Sequence, residues 1–184
     1  MLINLPNLLT LSRVVLIPVI VFVYYLVKPT DYGHFLAAVI FALASATDWL
    51  DGYLARKLNQ MTPLGAFLDP VADKVIVAVA LAMLVETYAD PLLTVPAMVI
   101  IGREIVISAL REWMAEMGKR ASVAVSFLGK VKTTCQMISI TGLLAFTMGT
   151  PLAYASLTLL YVAAVLTLWS MVIYIRAAWP ELRG

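Results

Sequence analysis

The sequence predicts an all-α fold: a polytopic membrane protein built as one bundle of six transmembrane helices. Hydrophobic residues make up 62% of the 184 residues and charged residues only 13%, and the mean hydropathy is +0.95. Soluble domains are about 45–50% apolar and about 25% charged. This composition therefore excludes a soluble globule, a disordered chain and a nucleic-acid-binding protein. The apolar residues form long runs rather than the alternation that is typical of a membrane β-barrel.

Each predicted helix corresponds to a run with few charged residues. The longest run, residues 133–175, has no charged residue. As a helix it would extend roughly 65 Å at about 1.5 Å per residue, enough for two crossings of about 20 residues each. Gly149, Thr150 and Pro151 predict the turn between the two crossings. We therefore predict a single domain, 1–184, whose residues 1–8 lie in the membrane interface and whose six spans cover residues 8–27, 33–57, 65–86, 92–114, 131–148 and 152–176.

The basic residues predict the orientation of this bundle. Six spans place both termini on one side, and cytoplasmic loops carry an excess of Lys and Arg. Lys28 is the only basic residue predicted for the opposite face, where His34 is expected to be a solvated loop residue. Both termini are therefore expected in the cytoplasm, on the face that has ten of the thirteen basic residues: Arg13, Arg56, Lys57, Arg111, Lys119, Arg120, Lys130, Lys132, Arg176 and Arg183.

Four aspartates stand where a membrane span should be apolar. Asp48 and Asp51 lie three positions apart near the end of the second span, and Asp69 and Asp73 lie four positions apart at the start of the third. Each pair shares a helical face, and a hairpin between the spans would bring the pairs to similar depth. Carboxylates this close repel strongly in a low dielectric, so either several stay protonated or divalent cations bind among them. Two Mg²⁺ or Mn²⁺ ions fit this oxygen-rich set, as in two-metal sites for displacement at phosphorus.

The residues around the aspartates favour a phosphate-bearing ligand. Gly52 and Gly65 leave space for a nucleotide to approach the helix backbone, and the guanidinium of Arg56 can bind a phosphate. Buried polar contacts without a ligand would explain one Asp–Arg pair but not four aspartates at helical spacing. A divalent-cation transporter is the alternative from another class. A transporter would need polar residues toward the opposite face, where residues 35–46 and 75–85 are almost entirely apolar.

These residues also carry a resemblance to a known family. The segment from Asp48 to Asp73 contains Asp-Trp-Leu-Asp-Gly-Tyr-Leu-Ala-Arg, eight further residues, and then Gly-Ala-Phe-Leu-Asp-Pro-Val-Ala-Asp. It resembles the signature DxxDGxxARx₈GxxxDxxxD of the CDP-alcohol phosphotransferases, with every defining position present. The family is six-spanning, in agreement with the count of apolar runs.

The resemblance extends over nearly the whole chain to one branch of this family, the bacterial CDP-diacylglycerol–glycerol-3-phosphate 3-phosphatidyltransferases. It implies transfer of a phosphatidyl group from CDP-diacylglycerol to sn-glycerol 3-phosphate, giving phosphatidylglycerol phosphate and CMP. That reaction is the committed step toward phosphatidylglycerol and cardiolipin. The resemblance also implies a homodimer in the bacterial inner membrane, with its active site on the cytoplasmic side. The segments that carry the resemblance are residues 6–14, 47–60, 67–75, 102–120 and 129–136.

The resemblance further implies a role for each residue of the signature. Asp48, Asp51 and Asp69 would ligate metal, and Asp73 would help to bind the second metal and act as the general base. The acceptor hydroxyl needs such a base because its own pKa lies far above 7. The CDP moiety would be held by Asp48, Asp51, Gly52, Arg56, Gly65 and Asp69.

The acceptor requires cations of its own, because glycerol 3-phosphate brings a dianionic phosphate to the site. A pairing of Arg103 with Glu104 that shapes the pocket is as compatible with the sequence as direct contact of Arg103 with the acceptor. For Lys119 and Arg120, a role in membrane orientation or in contact with lipid headgroups is as compatible with the sequence as binding of the acceptor phosphate. Serine or inositol phosphate as the acceptor remains an alternative within the same chemistry. The candidates for binding glycerol 3-phosphate are Arg103, Arg111, Lys130, Lys132 and Arg176.

Overall fold

A computed structural model describes residues 5–27, 31–58, 62–118 and 127–182; within these ranges the side chains of 5–7, 9, 31, 48–58, 63, 64, 66, 127 and 128 lie outside the description. The described residues form six helices and no strand, which confirms the predicted all-α class. The helices are α1 (Leu5–Leu26), α2 (Asp31–Leu58), α3 (Pro63–Tyr88), α4 (Pro91–Glu116), α5 (Phe127–Ala145) and α6 (Pro151–Leu182).

Three helices begin at a capping side chain followed by proline. The Thr62 side chain accepts a hydrogen bond from the N–H of Gly65 at 3.1 Å, and the Asp90 side chain accepts one from the N–H of Leu92 at 2.9 Å. Thr150 caps α6 in the same way. Proline suits the next position because its missing N–H would have no intrahelical partner there. These caps fix the starts of α3, α4 and α6.

The connection between α5 and α6 differs from the prediction. The fifth span was expected to end near residue 148, but α5 already ends at Ala145. Gly149 has φ +103°, a left-handed conformation that glycine adopts without steric cost. The turn therefore takes the five residues 146–150, whereas the sequence interpretation assigned it three.

The apolar core runs between all six helices. Helix α1 packs on both α2 and α3, α2 also packs on α5, and α6 packs on α4 and α5. Helices α5 and α6 pack closely at Gly142, where an added Cβ would collide with the Ser156 Oγ of α6. The largest core side chains, each less than 2% exposed, include Ile20, Tyr24, Phe41, Leu81, Leu84, Leu93, Ile100, Ile140, Leu143, Leu144 and Leu160.

The outer surface of the bundle is strongly apolar. Val165 and Trp169 of α6 are 63% and 64% exposed. An apolar surface this extensive is suited to lipid rather than to water. Within the described residues, α4 and α6 are long and apolar enough to cross a membrane, and Thr10–Leu26 and Tyr32–Thr47 form shorter apolar stretches.

Polar contacts also join the helices at the end of the bundle opposite the signature aspartates. The Tyr24 hydroxyl donates to Thr87 Oγ1 at 2.7 Å, and the Tyr25 hydroxyl donates to Glu86 Oε2 at 2.9 Å. The expectation that His34 is a solvated loop residue is wrong. His34 lies within α2, and its ring stacks on that of Tyr24 with centroids 4.5 Å apart.

Candidate active site

The first turns of α3 carry two of the four signature aspartates. Because Thr62 and Pro63 start the helix, Asp69 and Asp73 fall one turn apart on the same face, as the spacing predicts. Their side chains are 39% and 35% exposed. Both carboxylates are therefore within reach of a ligand while lying against the helix packed beside them.

That neighbouring helix, α1, supplies a buried arginine which the sequence interpretation missed. The Arg13 side chain is 1% exposed; its guanidinium hydrogen-bonds Asp73 Oδ1 and lies 3.6 Å from Asp69 Oδ1. Thr10, one turn earlier, donates to Asp69 Oδ1 at 2.5 Å. The sequence interpretation treated Arg13 only as a marker of the cytoplasmic face. Thr10 and Arg13 lie at helical spacing within an apolar run, and this pattern was the signal that α1 contributes to the site.

The other two aspartates lie on α2. Its backbone is helical through residues 48–58, so the spacing of Asp48 and Asp51 places them on one helical face. The side chains of Asp48, Asp51 and Arg56 and the surroundings of Gly52 lie outside the description, as do Lys119 and Arg120. Gly65 is in the first turn of α3, where its N–H bonds to the cap.

The donor set around α3 meets part of what a divalent cation requires. Among the described side chains, no group of three or more His, Cys, Asp or Glu could hold a metal ion. Asp69 and Asp73 nevertheless present carboxylate oxygens from one face, the ligand type that Mg²⁺ and Mn²⁺ prefer. Asp69 and Asp73 therefore supply the donor type of a hard divalent cation, while the described side chains alone do not make up a complete ligand set.

A cavity of about 200 Å³ opens beside Asp73, between α3, α4 and α5. It brings Asp73 together with Lys132, one of the predicted acceptor-binding residues. Lys74, also in its wall, hydrogen-bonds Ser108 of α4. The complete lining is Pro70, Asp73, Lys74, Val77, Glu104, Lys132, Thr133, Gln136 and Met137.

Two buried cations meet one carboxylate at this cavity. Glu104 Oε1 accepts from Lys132 Nζ at 2.6 Å and from Arg103 Nη1 at 2.9 Å. Arg103 and Lys132 are each 8% exposed. Arg103 Nη2 donates to Ser170 Oγ of α6 at 2.7 Å, so the network joins three helices. The pairing of Arg103 with Glu104 that the sequence left open is present. The contact of Glu104 with Lys132 and that of Arg103 with Ser170 were not predicted.

The remaining predicted acceptor residues lie on the surface. Arg111, Lys130 and Arg176 are exposed, and none of them lines the cavity. Arg111 hydrogen-bonds the Tyr174 hydroxyl, and its guanidinium carbon lies 4.8 Å from the centre of that ring. The structure thus buries Arg103 and Lys132 together and places Arg111 near Arg103, since both guanidinium groups lie against the ring of Tyr174. Lys130 and Arg176 lie away from the cavity lining.

An apolar groove of about 440 Å³ adjoins the cavity along α3 and α4. Lys74 and Glu104 line both spaces, so the groove begins at the polar site. Its other walls are mainly aliphatic: Val75, Val77, Ala78, Ile100, Ile101, Ile105 and Ala109. This is the shape and chemistry of a site that takes a hydrocarbon chain next to a charged group.

The charged residues of the site on α3 lie toward one end of that helix. Between Lys74 and Glu86, helix α3 carries only apolar residues, and Ile76, Ala80 and Leu84 among them are buried. A path for ions across the bundle would need polar groups along this stretch. The arrangement fits a one-sided binding site better than a conduit.

Comparison with known proteins decides the family. A family model described as CDP-alcohol phosphatidyltransferase matches residues 3–171. The chain belongs to the CDP-alcohol phosphatidyltransferase family. It is 56% identical, over 179 residues that cover 97% of both chains, to an Escherichia coli (strain K12) protein named CDP-diacylglycerol–glycerol-3-phosphate 3-phosphatidyltransferase. Proteins of the same name from Shigella sonnei (strain Ss046) and Shigella flexneri serotype 5b show the same identity and coverage.

Membership of the CDP-alcohol phosphatidyltransferase family confirms the resemblance that residues 48–73 indicate. The family description names a CDP-alcohol, and charged residues clustered at one end of α3 are compatible with a charged, nucleotide-linked substrate. The two carboxylates on α3, the cation-lined cavity and the apolar groove are then neighbouring parts of one candidate active site.

Proposed function

We propose that this protein transfers the phosphatidyl group of CDP-diacylglycerol to sn-glycerol 3-phosphate, giving phosphatidylglycerol phosphate and CMP. The observation that carries the proposal is the 56% identity over 97% of the chain to proteins named for this activity. The cavity that holds Asp73 together with the buried Lys132 supports it independently, because the acceptor must present both a hydroxyl and a phosphate.

The reaction is a displacement at phosphorus. The acceptor hydroxyl attacks the phosphorus that bears the diacylglycerol, a new P–O bond forms, and the bond from that phosphorus to CMP breaks. Asp73 accepts the proton of the attacking hydroxyl, and CMP leaves with the electrons of the broken bond. Arg13 holds the Asp73 carboxylate in place through their ion pair.

The four signature aspartates would hold two Mg²⁺ or Mn²⁺ ions. When bound, these ions would neutralise the pyrophosphate and the charge that develops on the leaving CMP. The oxygen donors of Asp69 and Asp73 on one face of α3 support this assignment. The proposed contacts for the CDP moiety are Asp48, Asp51, Gly52, Arg56, Gly65 and Asp69.

The phosphate of glycerol 3-phosphate would bind at Lys132 and Arg103. Both cations are buried, so an anion that reaches them interacts in a low dielectric and is bound more strongly than at the surface. Arg111, Lys130 and Arg176 would attract the dianion toward the cavity from the exposed surface. The apolar groove along α3 and α4 would receive an acyl chain of CDP-diacylglycerol.

We further propose that all six helices span the bacterial inner membrane within one domain, 1–184, with both termini and the active site on the cytoplasmic side. The excess of basic residues at the end that carries the signature supports this orientation. A homodimer is proposed from the family resemblance alone.

The test is an acceptor series with purified protein and CDP-diacylglycerol. We expect CMP release with glycerol 3-phosphate in the presence of Mg²⁺ or Mn²⁺, and none with serine or inositol phosphate. Incorporation of serine or inositol phosphate instead would contradict the proposed acceptor. Divalent-cation flux in liposomes without any CMP release would favour a transporter.

A further inference from the structure

Gln136 of α5 is a buried amide with an unused hydrogen-bond acceptor. The residue is 3% exposed, and its Oε1 has no hydrogen-bond partner among the described residues. An unsatisfied buried acceptor is destabilising, and native proteins retain few such atoms without a reason. Gln136 also lines the cavity that contains Asp73 and Lys132. A ligand that donates a hydrogen bond in this cavity would satisfy the amide.

The chemistry of the orphaned atom limits what it can bind. A carbonyl oxygen only accepts hydrogen bonds, so it favours a hydroxyl and disfavours an anionic phosphate oxygen. Glycerol 3-phosphate has two hydroxyls. In the proposed reaction the terminal hydroxyl gives its proton to Asp73, and the hydroxyl on the central carbon remains free to donate.

The spacing along α5 agrees with this assignment. Lys132 and Gln136 are four residues apart and therefore neighbours on one helical face, with Cβ atoms about 5–6 Å apart. In the acceptor, the phosphate and the central hydroxyl are likewise close together, on adjacent carbons. Asp73 faces the same cavity from α3. The three side chains could thus contact the three polar groups of one acceptor molecule.

We propose that Gln136 binds the central hydroxyl of the acceptor through its Oε1 and thereby makes the enzyme select glycerol 3-phosphate over phosphorylated alcohols that lack this hydroxyl. The proposal rests on the proposed function and adds a residue that determines specificity. A site with a buried polar group for a substrate hydroxyl rejects the deoxy analogue because the group is then left unpaired.

The test compares glycerol 3-phosphate with 3-hydroxypropyl phosphate, which lacks only the central hydroxyl. For the unaltered protein, we expect kcat/KM to favour glycerol 3-phosphate by about 100-fold or more. In Gln136→Met, which has similar size and no amide, we expect this preference to fall to about tenfold or less. The loss should come from glycerol 3-phosphate, while the rate with the analogue stays the same or rises.

A matched control is Thr134→Val, which changes a polar side chain on the exposed face of the same helix. It should leave both rates within about twofold of the unaltered protein. A merely structural role of Gln136 would lower both rates equally and keep the preference, and that result would overturn the proposal.

The comparison of the two acceptors in the unaltered protein is a readout that does not depend on the folding of any variant. If the unaltered protein uses both acceptors equally well, no residue recognises the central hydroxyl and the proposal fails. If it releases no CMP with glycerol 3-phosphate at all, the proposed function itself fails. These two failures are distinguishable in one experiment.

Discussion

The buried Arg13 on α1 leads to the most specific structural prediction, for the variant Arg13→Gln. The guanidinium bridges Asp73 and Asp69 and is 1% exposed. Breaking a fully buried ion pair costs about 3–5 kcal/mol. Both carboxylates are more than a third exposed, however, so water can solvate them after the change, and the loss of hydrogen bonds to charged groups, about 1.5–3 kcal/mol, is the better guide.

We therefore expect Arg13→Gln to lower stability by about 2 kcal/mol, which corresponds to a fall in Tm of about 4–8 °C. Turnover should fall about 100-fold, because a displaced Asp73 no longer meets the acceptor hydroxyl in reactive geometry. Arg13→Lys keeps the charge but lacks the planar fork that reaches both carboxylates. It should lose about tenfold in turnover and less stability than the glutamine variant.

Thermal unfolding in detergent and CMP release measure these two effects. Val15→Ala is the control on the same helix, because its side chain is 57% exposed and points away from the site; turnover should stay within about twofold. The reasoning is refuted if Arg13→Gln unfolds at the same temperature and keeps turnover close to that of the unaltered protein.

Three further predictions concern the base, the cation network and the helix packing. Asp73→Asn should lower CMP release by about 10²–10⁴-fold while CDP-diacylglycerol still protects the protein against thermal unfolding; near-normal turnover would exclude Asp73 as the base. Lys132→Gln removes one of the two buried cations proposed to bind the acceptor phosphate, so the KM for glycerol 3-phosphate should rise about tenfold or more, with the KM for CDP-diacylglycerol unchanged. Steady-state kinetics with each substrate varied check this, and an equal rise in both KM values would indicate general damage. Gly142→Ala should lower the stability measured by thermal unfolding by about 1–3 kcal/mol, because the added methyl group collides with Ser156. Adding Ser156→Gly should recover most of the lost stability. No recovery would show that the strain does not come from the contact with Ser156.

Much of the fold could be predicted because local signals mark the helix boundaries. Charge-poor runs locate all six helices. The predicted starts of α3 and α4 lie within two residues of the observed ones, which follow the capping residues Thr62 and Asp90. The α5–α6 turn was misjudged because the width of a turn depends on the backbone conformation at Gly149, which composition does not reveal.

The site was predictable only where its residues are close in sequence. Asp69 and Asp73 share a face because the helical repeat requires it. Arg13, Ser170 and Gln136 gain their roles from helices that meet in space, and the pattern of apolar residues does not say which helix packs on which. The same limit explains why the sequence named five candidate acceptor cations, although the structure buries only Arg103 and Lys132 among them.

We propose that this chain joins CDP-diacylglycerol to glycerol 3-phosphate with the help of a divalent cation. The most direct measurement is CMP release by the purified protein from CDP-diacylglycerol, with and without glycerol 3-phosphate and with and without Mg²⁺ or Mn²⁺. We expect release only when both the acceptor and a divalent cation are present, with phosphatidylglycerol phosphate as the lipid product. Release that ignores glycerol 3-phosphate, or a lipid product built on another acceptor, would contradict it.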